Sequence, residues 1–107
     1  MQADKYKPPP DFDARMREWM AAQGWPVNST RDYFDDGVYA WRHDLSSGTS
    51  PTLWIARALI DGHAAGKVAE QLDRLGVADR IRGNPKARFV VTEEAGRITV
   101  KPWKRGE

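Results

Sequence analysis

The chain contains no cysteine. That removes disulfides, thiolate metal ligands and a cysteine nucleophile, and it fits a reducing compartment. Histidine is scarce: His43 and His63 are the only two. No His-x-x-x-His or His-Glu-x-x-His spacing occurs, so a metal site would have to be built largely from carboxylates, and neither a metal nor a cofactor is expected. No apolar run approaches the length that spans a bilayer. Met1–Pro10 is polar, ends in three prolines and lacks the apolar stretch of a secretory signal. The expectation is a cytoplasmic protein with no membrane contact. The Gly-x-x-x-x-Gly-Lys-Ser/Thr phosphate loop and the Gly-x-Ser-x-Gly nucleophile elbow are missing too.

What is present describes a small folded unit. The 107 residues are 40% apolar and 30% charged, which suits one globular domain rather than a disordered chain. That domain is expected over residues 11–103, between a flexible Pro-rich tail, 1–10, and a short basic tail, 104–107. The five tryptophans, Trp19, Trp25, Trp41, Trp54 and Trp103, are many for this length. Most are expected in the core, with one or two as surface anchors.

Charge is unevenly distributed. From Val77 to Glu107 the bases Arg80, Arg82, Lys86, Arg88, Arg97, Lys101, Lys104 and Arg105 face the acids Asp79, Glu93, Glu94 and Glu107, net +4. Met1–Asp36 carries five bases and seven acids, and Gly37–Gly76 is balanced. A basic end on a balanced chain points to an anionic partner or to a contact between copies. The total of only +2 is modest for a dedicated nucleic-acid binder.

The periodicity predicts α+β architecture: helix, β-hairpin, helix, β-hairpin, with the helices on one face of a small antiparallel sheet. Asp11–Gln23 is a helix capped by Asp11 and ended by Gly24, with Phe12, Met16, Trp19 and Met20 on one face. Trp25–Gly37 reads as a connector. Val38–Leu45 alternates as a strand. Thr52–Ile60 fits either a strand through about Arg57 or a helix capped at Ser50; its position after a strand and Trp54-Ile55 favour the strand. Ala64–Leu75 is a second helix along Val68, Leu72 and Leu75, and Val77–Arg82 a short helical turn. Arg88–Thr92 and Arg97–Lys101 form the last hairpin, joined by the four residues Glu93–Gly96.

Two clusters could recognise an anion. On the last hairpin, Arg88, Arg97 and Lys101 share a strand face, followed by Trp103 and Lys104; cations neutralise phosphates and an indole stacks a base. Arg80, Arg82, Lys86 and Arg88 surround the turn Gly83-Asn84-Pro85. Solvated strand faces often carry such residues for solubility alone. Other arrangements are weaker. His43, Asp44 and Ser46 are too close in sequence to converge as a triad on a strand. The Ser46–Ser50 loop, flanked by Arg42 and Arg57, resembles an anion cradle in composition only. The expected function is therefore a non-catalytic module that binds nucleic acid along its phosphate backbone. The alternative is a protein-interaction or self-associating subunit, a possible homodimer, using a sheet edge, the aromatics Tyr39, Trp41 and Trp54, and the acidic Asp32, Asp35 and Asp36.

Overall fold

The computed structural model describes residues 7–33, 37–45, 51–84 and 88–102, with the backbone alone for 31–33. Lys86, Trp103, Lys104, Asp35, Asp36 and the Ser46–Ser50 loop lie outside the described residues.

Helix α1 spans Pro10–Ala22 and begins one residue before the expected cap. Pro10 occupies the first turn, where its fixed φ suits the helix and its missing N–H leaves no orphan donor. Asp11 and Asp13 then lie in the first turn, where negative charge meets the positive end of the helix dipole. The helix ends in a Schellman arrangement: Trp25 N–H donates to Met20 C=O (3.0 Å) and Gly24 N–H to Ala21 C=O (2.9 Å). Gly24 adopts φ 89°, which a residue with a Cβ enters only at a cost. Phe12, Met16, Trp19 and Met20 are buried as the spacing predicts, and each side chain of this size contributes roughly 1.5–3 kcal/mol on burial.

The expected connector contains a strand, β1 (Ser29–Tyr33). Its turn-forming residues hide it, yet its backbone pairs along the whole of β2 (Val38–Arg42), from Ser29 opposite Arg42 to Tyr33 opposite Val38. Tertiary pairing overrides local preference here. The ambiguous segment is both things in turn: β3 (Thr52–Ala56) runs directly into α2 (Arg57–Gly62). Helices α3 (Ala65–Arg74) and α4 (Val77–Gly83) follow, separated by Gly76 at φ 65°. β4 (Phe89–Glu94) and β5 (Arg97–Pro102) close the chain. Their connection is shorter than expected: Glu93 and Glu94 stay in the strand, and Ala95 (φ 53°) and Gly96 (φ 80°) make a two-residue turn with both central residues left-handed.

The sheet order is β1-β2-β3-β4-β5. Every neighbouring pair is antiparallel except β3–β4, where Trp54 and Ile55 lie parallel to Val90 and Val91. Parallel neighbours need a long crossover, and α2, α3 and α4 supply it. The α+β class holds, with a mostly antiparallel sheet.

One core joins helices to sheet. Phe12, Met16, Trp19 and Met20 meet Tyr39, Trp41, Leu53, Ile55 and Val91, with Leu59, Val68, Leu72, Val77 and Ile81 from the later helices. Two indoles register these layers. Trp41 Nε1 donates to Asp13 Oδ1 (2.8 Å), tying β2 to α1. Trp19 Nε1 donates to Asp73 Oδ1 (2.9 Å), tying α1 to α3. Buried indole N–H groups need such partners. Among the described residues, no helix is long and apolar enough to cross a membrane.

Candidate nucleic-acid interface

Strand alternation puts a second set of side chains on the other face of the sheet. Val38, Ala40, Trp54 and Val90 form a separate cluster to which, among the described residues, no helix contributes. The register explains it: Ala40 lies opposite Trp54, and Trp54 beside Val90, so the cluster runs across β2, β3 and β4. Trp54 is nevertheless only 7% exposed. Part of its cover is a cation: the Arg88 guanidinium carbon stands 5.7 Å from the Trp54 ring centroid, within cation–π range. Long basic side chains shield apolar surface with their stems while the charge stays in water.

β5 extends this face. Lys101 is opposite Val90, Thr99 opposite Thr92 and Arg97 opposite Glu94. Both Arg97 and Lys101 are exposed. Lys101 Nζ is ion-paired with the Glu94 carboxylate across the hairpin, an exposed contact contributing only about 0–1 kcal/mol. At the other side, Arg42 belongs to the same alternation as Val38 and Ala40 and is ion-paired with Asp44. The face is thus an apolar centre around Trp54, with Arg88 over it and Arg42, Arg97 and Lys101 toward its margins.

The remaining expected contacts are placed differently. Arg80 and Arg82 are on α4, in the helical layer, rather than beside the last hairpin's cations. Arg82 is held there: it pairs with Asp79 (3.1 Å), donates to Gln23 Oε1 (3.3 Å) and lies 5.1 Å from the Trp25 ring centroid. Arg80 is exposed. So Arg88, Arg97 and Lys101 share one surface, and Arg80 and Arg82 belong to another.

The aromatics considered for partner contacts divide in the same way. Tyr39 and Trp41 are core residues at 8% and 0% exposure, their rings 5.0 Å apart edge to face, and Phe12 stacks on Trp41 at 6.1 Å. Neither offers a ring to a partner. Of these three, Trp54 alone belongs to the second face, where it too is largely buried. Asp32 lies opposite Tyr39 in the β1–β2 pairing. His43 is half-buried past the end of β2, with its backbone N–H on Pro51 C=O (3.0 Å). Arg42 and Asp44 pair across it, leaving the imidazole outside any acid–base relay among the described residues. No cluster of three or more His, Cys, Asp or Glu side chains placed to hold a metal occurs among the described residues.

The central position of Trp54 was the least readable part of this surface. Its alternation with Leu53 and Ile55 is visible in the sequence, but two facts about register are not: that Ala40 lies opposite it, and that Val90 is its parallel neighbour. The signal that was available is Val38 and Ala40 alternating with Tyr39 and Trp41, two apolar sets on one strand, which marks a strand buried on both faces. No family model matches the chain, and comparison with curated proteins and with solved structures gives no match.

Proposed function

We propose that this domain is a non-catalytic module that binds single-stranded nucleic acid across the helix-free face of its sheet. Arg88, Arg97 and Lys101 meet backbone phosphates, and Arg88 on Trp54 forms the platform against which a base stacks. The observation that carries this reading is Arg88 seated over Trp54 on a face to which, among the described residues, no helix contributes. Bases in single strands stack on aromatic rings and on guanidinium planes alike, whereas a broad sheet face does not fit a B-form major groove, which takes a helix or a two-stranded ribbon. The excess of basic residues in the last third of the chain supports the same assignment.

The test is binding of a fluorescent single-stranded oligonucleotide, followed by anisotropy over a salt series. Each phosphate neutralised contributes about −0.7 to the slope of log K against log salt, so three contacts give a slope near −2. The double variant Arg88→Ala, Lys101→Ala should lose affinity and flatten that slope to about −0.7, with Arg80→Ala leaving both unchanged. No binding at low salt would overturn the proposal.

A second reading follows from the sheet order. β1 and β5 are its two edges, and an edge strand can pair with a second chain. A partner protein or second copy adding to β5 would make the domain a subunit of an assembly. Sedimentation equilibrium separates the readings: a concentration-dependent dimer favours this one, and a monomer that binds the oligonucleotide favours the first.

A further inference from the structure

A concave site lies away from the Trp54 cluster, where the start of α3 meets the tip of the β4–β5 hairpin. A cavity of about 320 Å³ opens there, lined by His63, Lys67, Gln71, Gly96, Arg97 and Ile98. Its size falls at the lower end of the range for small-molecule sites, roughly 300–1,000 Å³. Ile98 is half-buried and packs against the core, so it gives the cavity an apolar wall. Around it stand groups suited to an oxyanion. Among the described residues, neither Lys67 nor Arg97 has an ion-pair partner. Gln71 adds an amide donor. His63 Nε2 is held 3.3 Å from Glu93 Oε1, which ties the ring to β4 and engages the nearby carboxylate.

We infer that this cavity is a binding site for a small organic anion, one carrying a carboxylate or phosphate group on a short apolar stem. The anionic group lies between Lys67 and Arg97 with Gln71 donating, and the stem lies on Ile98. Charge-assisted hydrogen bonds from two cations supply the affinity, and the apolar wall supplies orientation. Arg97 borders both surfaces, but Lys67, His63 and Gln71 belong to the helical side and take no part in the Trp54 face, so the two sites are separable by variants at Lys67.

The experiment is a titration of the ¹⁵N-labelled full chain, observed by heteronuclear NMR, with inorganic phosphate, succinate and neutral succinamide in separate series. Saturable shifts confined to His63, Lys67, Gln71, Gly96 and Ile98 are expected with an anion and not with succinamide. Response to phosphate alone or to succinate alone supports the site and identifies the group it prefers. Lys67→Ala should weaken binding about tenfold, the effect of losing one charged hydrogen bond, and Lys67→Glu should abolish it. Position 67 is exposed on a helix, so neither change disturbs folding, and the unperturbed spectrum of each variant verifies this. The inference is overturned by an absence of saturable shifts with both anions, by shifts centred on Arg88 and Lys101 instead, by an equal response to succinamide, or by Lys67→Glu binding as well as the wild type.

Discussion

Removing the carboxylate of Asp13 should destabilise the domain through a residue on another element. Asp13 Oδ1 accepts the Trp41 indole N–H at 2.8 Å, and Trp41 is completely buried. In Asp13→Ala the indole N–H loses its charged partner. A hydrogen bond to a charged acceptor is worth about 1.5–3 kcal/mol, and the orphaned donor retains its desolvation cost. Two smaller effects accompany it. The Arg17 ion pair, with side chains 45% and 31% exposed, is worth about 0–1 kcal/mol. The first-turn charge contributes about 0.3–1 kcal/mol to the helix dipole, partly offset by the better helix propensity of alanine. The expected loss is therefore about 2–4 kcal/mol, a large part of the 5–15 kcal/mol typical of a domain. Asp13→Asn retains an acceptor oxygen and should lose about half as much. Urea denaturation followed by circular dichroism measures both. The decisive quantity is the coupling in a cycle with Trp41→Phe, which removes the donor: about 1.5–3 kcal/mol is expected. Additivity within about 0.5 kcal/mol would refute the idea that this contact joins β2 to α1.

Three further outcomes follow from single positions. Ala95 is the one non-glycine residue with positive φ among the described residues, at a turn position that favours asparagine, so Ala95→Asn should raise stability by about 0.5–1 kcal/mol, read as a higher urea midpoint with unchanged slope. Gly76 has φ 65°, and a Cβ there would meet nothing within 4 Å; Gly76→Ala should therefore cost about 1–2 kcal/mol from backbone strain alone, with no change in the packing seen by near-ultraviolet circular dichroism. Thr99 Oγ1 is shielded from solvent without a hydrogen-bond partner among the described residues. Thr99→Val removes that unpaired hydroxyl from a strand and should stabilise by about 1 kcal/mol in thermal melts; a lower melting temperature would argue that the hydroxyl is paired in solution.

Periodicity made α1 and α3 legible. The i, i+4, i+7, i+8 spacing of Phe12, Met16, Trp19 and Met20 is a local property, and so are the glycine stops at Gly24 and Gly76. The strand at Ser29–Tyr33 was not legible because its residues prefer turns, and only the pairing with β2 selects an extended backbone. Thr52–Ile60 resisted assignment because it changes element at Arg57, and a period needs more residues than either half provides. The same limit applies to the site. That Arg88, Arg97 and Lys101 share a face follows from alternation within one hairpin. That Arg82 turns to Trp25 and Gln23 depends on α4 packing near the end of α1, a contact between residues far apart in sequence.

The strands stand side by side in the order in which the chain produces them, and this has a kinetic consequence. Three of the four neighbour pairs are hairpins, which zip over short spans. The fourth must bring Ile55 to Val91 across the intervening helices, and closure over such a span comes late and limits the speed of folding. Truncating Val90 or Val91 should accordingly slow refolding, while strain relieved at the Ala95 turn belongs to a hairpin already formed when the halves dock. The seam between β3 and β4 also makes the domain divisible: separate polypeptides ending and starting within the crossover would each carry a hairpin, and their reassembly would report directly on that one closure.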